Sequence, residues 1–516
     1  MSNQSRTAKS LKNSVVAMVF YLVTLLLQFF SRKIFLEYLG TEILGLNTTC
    51  TNLLQFLNLA ELGIGAAVSF SLFKPMHDDD HDTINDIVSL QGHIYRRIAM
   101  IIIVGAVILM CFFPLIFKKA NLPLWYAYTS FSVLLLSGLL TYFVNYKQVA
   151  LSASQQDYKI AYSYKSIQLA KLLAQIMALS LFPHPYIWWL ILEGVFAILA
   201  SISLHRMTMK TFPFLDKSKH QFGELRKRYK EIETKVKQLI FHKLGTFALS
   251  QSSPLIIYAF ASLSLVALYG NYMIAITGIQ MLAASVFNSM GAGVGHLVAE
   301  GNQSRIRAVF KELFTLRFLL VATLCFSTFV VMTPLIQVWI GSEYLLPESS
   351  LLLMVAIMFI SMSRLTVDAF VNAFGLFKDI WAPVAEACLN IGLSIILGSK
   401  FGLNGILCGV LISLICTMVL WKPYFLITNH MKGFMPHYLY MYGLHLGLAL
   451  VAAYASIPIL RSLPIDPSTG YVNLGIYGVL TAFIYGLILF AALWILYPGM
   501  RKVVKRICGM LSQRLK

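Results

Sequence analysis

Residues 57–82 read LNLAELGIGAAVSFSLFKPMHDDDHD, and they place a glutamate inside a long apolar run that ends at Lys74-Pro75 and a group of acidic residues. The run begins near residue 43, so Glu61 is its one carboxylate. A stretch of about 20 apolar residues is long enough to cross the hydrocarbon core of a bilayer. The segment therefore predicts a membrane-spanning helix that carries an ionisable group within the membrane.

The composition of the whole chain agrees with this interpretation. Of the 516 residues, 58% are hydrophobic and only 12% are charged, whereas a soluble domain has about 25% charged residues. We find fourteen apolar runs of sufficient length, at roughly 14–31, 43–73, 98–117, 124–144, 160–182, 186–205, 241–262, 264–298, 316–337, 350–376, 380–399, 403–427, 438–461 and 472–497. We predict an all-α polytopic membrane protein with about 14 transmembrane helices.

The distribution of lysine and arginine predicts the orientation. With the N-terminus in the cytoplasm, the inner segments hold 33 of the 41 lysines and arginines. Cytoplasmic loops of membrane proteins carry such an excess. Both termini are therefore expected in the cytoplasm, and the formal charge of +19 indicates contact with anionic inner-leaflet lipids rather than with nucleic acid.

The order of runs and loops suggests two six-helix lobes around a central cavity plus two C-terminal helices. The longest polar segment divides six spans from eight, and its second part has the charge spacing of a basic amphipathic helix on anionic lipid. An internal repeat would account for the two lobes, with an unusually long second helix in each. The expected parts are an N-terminal lobe, a basic linker, a C-terminal lobe, two extra helices and a basic tail, at 1–205, 206–240, 241–427, 438–497 and 498–516.

Polar residues line one side of the second predicted helix. At 100° per residue, six positions fall within one arc of about 80°. They are Asn47, Thr51, Asn58, Glu61, Gly65 and Ser69. Such an arc faces protein or a wet cavity, because an unpaired charge costs at least about 2.5–3.5 kcal/mol at the bilayer centre. Glu61 is either a coupling or gating group or a paired glutamate that joins two helices.

Further ionisable residues lie within predicted spans. Arg364 and Asp368 are four residues apart and can pair on one helix face, where a self-neutralising ion pair is the alternative to a functional role. Lys171, Glu193 and Glu386 are also intramembrane. Together they indicate a polar, ionisable interior.

The segment HDDDHD at 77–82 has the composition of a metal site, but it lies at the start of a predicted helix, where acidic residues interact favourably with the helix dipole. We therefore interpret it as a solvated helix start and predict no metal and no cofactor. The seven cysteines show no CxxC spacing. Motifs for ATP hydrolysis or nucleophilic catalysis do not occur in a usable context, so we predict a transporter rather than an enzyme.

Residues 32–97 resemble the opening of bacterial polysaccharide-unit flippases of the Wzx type, which belong to the multidrug/oligosaccharidyl-lipid/polysaccharide exporter superfamily. The shared pattern is an arginine before an aromatic residue, then LG-x-E-x-LGL, then a stretch like LxLAELGIGxA, and then KP. Its elements here are Arg32, Phe35, 39–46, 57–67 and 72–75. Later residues, Arg364 and Asp368 among them, resemble the family more diffusely.

The resemblance implies a flippase that moves an undecaprenyl-diphosphate-linked oligosaccharide to the outer leaflet of the cytoplasmic membrane, for synthesis of O-antigen, capsule or exopolysaccharide. Proteins of glycan assembly would be further partners. Cations that suit a diphosphate are expected to line the cavity, and by position we nominate Arg32, Lys171, Arg364, Arg97 and Lys147. Glu61, Asp368 and Glu386 would couple an ion or gate the cavity.

Three other functions remain open. A multidrug-type cation antiporter of the same fold would need a cavity dominated by carboxylates. A polytopic glycan polymerase or ligase would need a large outer loop, yet the longest predicted outer loops have about ten to twelve residues. A scaffold for glycan assembly is the third alternative.

Overall fold

The computed structural model describes residues 6–58, 64–216, 218–232, 236, 252–288, 291–376, 379 and 381–514. These residues form helices and turns, without β-strands. Ten helices among them are long and apolar enough to cross a membrane. The prediction of an all-α polytopic membrane protein is therefore confirmed.

The chain divides into two compact units, residues 1–267 and 268–516. This division lies downstream of the predicted linker. Unit 1 accordingly contains the predicted N-terminal lobe and the described part of that linker. The predicted cavity between lobes and the outer boundaries at 427 and 438 stay predictions.

Of the described helices of unit 1 before the linker, four are long and apolar enough to span a membrane, where the sequence predicted six spans. Its principal helices are Arg6–Leu57, Ile64–Asp78, His81–Cys111, Leu124–Phe143, Ser166–Leu181 and Pro185–Thr211. The first of these is two helices joined at Gly40, which has non-helical dihedral angles of φ 77° and ψ 176°. A glycine suits this position because a positive φ is unfavourable for residues with a Cβ atom. In the predicted loop at 32–42, the first helix continues to Gly40, which is the one turn residue, and the second helix begins directly after it.

The long second helix predicted over 43–73 falls on two described helices. The first ends at Leu57, Asn58 has 3₁₀ geometry, and another α-helix begins at Ile64, while residues 59–63 lie outside the described part of the chain. The apolar composition gave no sign of the 3₁₀ geometry, because hydrophobicity reports burial and not backbone conformation. A single arc of polar residues on one unbroken helix over 43–73 stays a prediction.

The principal helices of unit 2 follow in the chain. They are Leu263–Asn288, which begins in unit 1, then Gly291–Ala299, Gln303–Trp339, Glu348–Ser363, Leu365–Ala373, Trp381–Leu414, Lys422–His430, Met435–Arg461, Tyr471–Leu496 and Pro498–Arg514. The long helix predicted over 264–298 falls on the first two of these, and residues 289 and 290 between them lie outside the described part of the chain. The basic tail packs on unit 2 through Met500 and Val503, which are buried.

A tight hairpin lies within the Trp381–Leu414 segment of unit 2. Gly402, with φ 56° and ψ −135°, separates two helices there. They approach so closely that a Cβ atom on Gly405 would lie 2.0 Å from the carbonyl oxygen of Leu397. The hydroxyl of Ser394 donates to the carbonyl of Ile406 at 3.1 Å across the same contact. Two of the predicted spans, 380–399 and 403–427, are therefore present but are joined by a single turn residue.

The linker is fastened to unit 1. Asp86, which is buried, accepts hydrogen bonds from Ser218 at 2.5 Å, Arg228 at 3.2 Å and Tyr229 at 3.3 Å. Leu225 in the short helix Phe222–Arg228 is buried in the core of the unit. The apolar residue Leu225 of this helix thus packs on protein, and the expected contact of the linker with anionic lipid stays a prediction.

Candidate functional site

Two cations and one carboxylate meet in unit 2. Lys422 Nζ lies 2.9 Å from Asp368 Oδ1, and Arg364 Nε lies 3.4 Å from Asp368 Oδ2. The side chains of Arg364, Lys422 and Asp368 are 27%, 23% and 19% exposed. Two accessible cations thus share one carboxylate, and the carboxyl of Glu386 lies near both of them.

Local helix geometry explains how these three residues meet. Arg364 stands at the junction of the Glu348–Ser363 and Leu365–Ala373 helices, and the i, i+4 spacing brings Asp368 beneath it. Lys422 begins the Lys422–His430 helix, where Pro423 occupies the first turn and follows a π-helical segment at Ile415–Trp421. Such π-helical insertions rotate the residues that follow, and they are frequent at functional sites.

A buried polar column adjoins this charged group. Glu386, Asn390 and Ser394 succeed one another on one helix of the Gly402 hairpin and are at most 2% exposed. Thr417 on the other helix lies near Glu386, and the charges of Arg364 and Lys422 act on the same carboxyl. One oxygen of Glu386 and the amide nitrogen of Asn390 have no hydrogen-bond partner among the described residues. Unpaired buried polar atoms are costly, so this column can accept a proton or an ion.

Aromatic side chains flank the cations. The rings of Trp381 and Trp421 are 4.6 Å apart, and Trp421 is 6.0 Å from Tyr424. Trp381 and Tyr424 are 54% and 49% exposed. Indole and phenol rings combine an apolar face with a polar edge, which suits contact with a sugar ring or with the membrane interface.

An apolar groove of about 520 Å³ lies between three helices of unit 2, Leu263–Asn288, Gln303–Trp339 and Tyr471–Leu496. Its lining includes Phe287, Leu320, Thr323, Phe483 and Gly486. Leu320 and Phe483 are 41% and 65% exposed, so the groove is at the surface of the unit. It has the polarity and the location to accept a hydrocarbon chain.

Arg317 is a buried cation that sequence reasoning missed. Its side chain is 2% exposed, and its guanidinium donates to the carbonyls of Leu365 at 3.0 Å and Phe287 at 2.9 Å. The guanidinium carbon also lies 5.3 Å from the centre of the Phe287 ring. The residue lies at the cytoplasmic end of a predicted span, where an arginine is expected for topology alone, so no signal distinguished it.

In unit 1 the intramembrane cation is fully paired. Lys171 Nζ lies 2.6 Å from Glu193 Oε1, and Gln175 donates to the second oxygen of Glu193 at 3.0 Å. The two charged side chains are 13% and 11% exposed. The nominated cation Lys171 and the singled-out Glu193 therefore form an ion pair between adjacent helices, and a role for Lys171 in substrate binding stays a prediction.

The polar stripe of unit 1 lies against protein. Asn47 accepts a hydrogen bond from Ser130 at 2.6 Å, and Asn58 accepts one from Tyr142 at 3.2 Å. Thr51 bonds within its own helix. These contacts agree with the expectation that the stripe avoids lipid, and they join neighbouring helices of one unit.

Gly65 and Ser69 of the stripe lie on the Ile64–Asp78 helix. A Cβ atom on Gly65 would touch the hydroxyl of Tyr95 at 3.4 Å, and Ser69 is half-buried. Glu61 lies outside the described residues. Its predicted coupling role, like the cavity-lining role of the stripe, stays a prediction.

The other nominated cations of unit 1 are dispersed. Arg32 donates to the carbonyl of Ala267 at 3.3 Å. Lys147 donates to the carbonyl of Leu215 at 2.9 Å, and Arg97 lies over the ring of Phe222 at 4.2 Å. Arg97 and Lys147 thus both hold the linker, which the sequence could not indicate because the linker is more than 60 residues away in the chain.

The acidic segment 77–82 forms the end of one helix and the start of the next. Asp80 caps the His81–Cys111 helix by accepting from the Thr83 amide. Hydrogen bonds from the Thr83 side chain and amide lower the pKa of the Asp80 carboxyl. His81 stacks on Phe214 with the rings 3.7 Å apart. Within the described ranges, no three or more His, Cys, Asp or Glu side chains are grouped so that they could hold a metal ion.

Solved structures of transport proteins have the same fold. The lipid II flippase MurJ, in an inward closed conformation, aligns with a TM-score of 0.64 at 14% identity over 93% of this chain and 99% of its own. A multidrug resistance MATE family transporter of the MOP superfamily, in an inward-facing conformation, aligns with a TM-score of 0.55 at 12% identity over 82% of this chain and 99% of its own.

An outward-facing conformation of a MATE family transporter gives a TM-score of 0.52 at 14% identity, over 83% of this chain and 97% of the other. No family model and no curated protein matches the sequence. The three matched structures are described as a flippase or transporters and not as enzymes. The chain is therefore a multi-pass membrane protein with the fold that the lipid II flippase MurJ and MATE transporters of the MOP superfamily share.

Proposed function

We propose that this protein is a flippase for an undecaprenyl-diphosphate-linked oligosaccharide, which it moves by alternating access across the cytoplasmic membrane during synthesis of O-antigen, capsule or exopolysaccharide. Both termini are cytoplasmic in this proposal. The observation that carries it is the accessible pair of cations, Arg364 and Lys422, sharing the single carboxylate of Asp368. A diphosphate can displace that carboxylate and satisfy both cations, and the arginine fork suits phosphate oxygens.

Two neighbouring features support a substrate with a sugar and a lipid chain. The exposed rings of Trp381 and Tyr424 lie near the cations and can contact sugar rings. The apolar groove beside Phe287 belongs to the same unit and can hold part of a polyprenyl chain. A small soluble ion would need neither feature.

Coupling to an ion or to the membrane potential is part of the proposal. Moving two negative charges out of an inside-negative cell releases about 4–5 kcal/mol per 100 mV. Glu386 is buried beside the cations and has one unpaired oxygen, so it can take up a proton or an ion as the diphosphate leaves. Asp368 would gate the cations by occupying them in the absence of substrate.

A cation antiporter is the second candidate. Asp368 and Glu386 supply two carboxylates, and the MATE transporters with this fold are described as multidrug resistance proteins. However, Arg364 and Lys422 adjoin both carboxylates and would repel a cationic drug.

A leaflet assay in proteoliposomes tests the proposal. A fluorescent undecaprenyl-diphosphate oligosaccharide is reconstituted with the wild type and with Arg364→Ala, and flipping is followed by quenching from the outside. We expect the wild type to flip the lipid and Arg364→Ala to lose about 10–100-fold in rate, since a hydrogen bond to a charged group contributes about 1.5–3 kcal/mol.

Lys311→Ala is the matched control, because it removes a cation of unit 2 that lies over the Phe434 ring, outside the charged group. It should flip at the wild-type rate. Absence of flipping by the wild type, together with efflux of a cationic dye, would replace the proposal by the antiporter. A chemically altered lipid would instead indicate a polymerase or ligase.

A further inference from the structure

Arg317 stands between the two parts of unit 2 that the proposed function uses. Through the carbonyl of Phe287 it reaches the Leu263–Asn288 helix, which lines the apolar groove. Through the carbonyl of Leu365 it reaches the residue that directly follows Arg364. One guanidinium therefore joins the wall of the groove to the backbone of the charged group.

One attachment point is a junction between helices. Arg364 lies between the Glu348–Ser363 and Leu365–Ala373 helices, and Arg317 donates to the carbonyl of the next residue, Leu365. The other attachment point, the Phe287 carbonyl, belongs to the Leu263–Asn288 helix. A chain can bend at a junction between helices, so a donor that ties this junction to another helix makes the movements of the two depend on each other.

The cost of burial argues that this arrangement has a purpose. Arg317 is 2% exposed, and the described residues give it no carboxylate partner. It is held by carbonyl dipoles and by the face of the Phe287 ring. A buried cation without a counterion is unfavourable, whereas a leucine would fill the same helical position at no such cost. Only a fork of donors can reach two carbonyls on separate helices at once.

We infer that Arg317 is a positioning residue that couples the apolar groove to the charged group, so that a lipid chain in the groove sets the placement of Arg364 for the diphosphate. The inference rests on the proposed function for the identity of the two ligands. The joint, meaning the two hydrogen bonds from Arg317 to the carbonyls of Phe287 and Leu365, does not depend on which ligands bind. A protein with such coupling would favour a diphosphate attached to a long chain over either part alone.

The first experiment measures the joint without any ligand. Amide hydrogen exchange is followed in purified wild type, Arg317→Gln and Arg317→Lys, in peptides covering 281–288 and 360–370. We expect Arg317→Gln to exchange at least about tenfold faster in both peptides, and Arg317→Lys to affect one more than the other because an ammonium cannot fork. Thr328→Ala, in the same helix and with its hydroxyl bonded only to Leu324, is the control that should leave both peptides unchanged.

The second experiment measures coupling with one probe for each part, undecaprenol for the groove and inorganic pyrophosphate for the charged group. In the wild type, undecaprenol should raise the affinity for pyrophosphate at least about fivefold, and pyrophosphate should raise that for undecaprenol by the same factor. In Arg317→Gln the factor should fall to about one while each probe still binds.

The outcomes separate the two proposals. Equal exchange in wild type and Arg317→Gln, or coupling that persists in Arg317→Gln, would overturn the role of Arg317. If pyrophosphate fails to bind the wild type, the proposed function fails, and faster exchange in both peptides of Arg317→Gln would still support the joint. If both probes bind the wild type without influencing each other, the inference is overturned and the proposed function is retained.

Discussion

The two units treat their intramembrane cations differently. In unit 1, Lys171 meets Glu193 one to one, and Gln175 occupies the remaining oxygen. In unit 2, Arg364 and Lys422 share Asp368, and all three side chains stay about one-fifth or more exposed. The first arrangement is closed and neutral, whereas the second has unused donors and an accessible surface.

The difference suggests how structural and functional charges can be distinguished within a membrane. A closed pair has its charges matched one to one, so its value lies in joining two helices, and losing either member leaves an uncompensated charge. An open group with surplus charge is unfavourable until a ligand completes it. The count of partners, rather than the presence of a charge, is therefore the informative feature.

The largest expected effect is on the stability of unit 1. Lys171→Met leaves Glu193 buried without its cation and should lower the free energy of unfolding by about 3–5 kcal/mol, measured by thermal unfolding in detergent. The double variant Lys171→Met/Glu193→Met should recover most of that loss. A Lys171→Met protein of normal stability that no longer flips lipid would instead assign Lys171 to the substrate, as its nomination from sequence proposed.

A smaller effect is expected on ligand affinity in unit 2. Asp368→Asn removes the carboxylate that competes with an anion for Arg364 and Lys422, so pyrophosphate should bind about tenfold more tightly, which is about 1.4 kcal/mol. Titration calorimetry on the purified protein measures this change. Glu193→Gln, which alters a carboxylate of unit 1, should leave the affinity as it is. Weaker binding by Asp368→Asn would show that the carboxylate orients the cations rather than competing for them.

The smallest expected effect concerns the aromatic rings. Trp381→Ala should weaken binding of the sugar-bearing lipid about fivefold, or about 1 kcal/mol, through lost contact with the indole face. Binding of pyrophosphate should not change, since it has no ring to contact. Trp125→Ala is the matched control because Trp125 is also exposed, at 44%, but belongs to unit 1. An equal loss of affinity for both ligands would indicate that Trp381 positions the cations and does not contact the sugar.

The sequence predicted those features of the fold that hydrophobicity determines. The long apolar runs were sufficient to predict a polytopic membrane protein. The i, i+4 spacing of Arg364 and Asp368 was sufficient to predict one ion pair. The 3₁₀ geometry at Asn58 was missed because glycine and polar residues in an apolar run are compatible with a continuous α-helix. The sequence predicted a loop where Gly402 makes a one-residue turn, because a single residue is too short to give a recognisable composition.

The candidate site was only partly predictable for a different reason. Lys422 is 54 residues from Asp368. A lysine beside a proline near the end of a span is interpreted first as a topology determinant and not as a binding residue. Lys171 and Glu193 were both noticed, but helix rotation decides whether they meet, and rotation depends on packing. Arg317 became visible only when its two carbonyl partners on separate helices were located.

The hairpin at Gly402 bears on how the protein enters the membrane during synthesis. A helix that carries Glu386 and Asn390 would meet hydrocarbon with unpaired polar groups if it were released alone. With one residue as the turn, and Gly405 and Gly409 allowing backbone contact, its partner helix emerges from the ribosome directly behind it. We expect the two helices to leave the insertion machinery as one unit, with Thr417 already beside Glu386. A polar interior can then be assembled without ever being exposed to lipid.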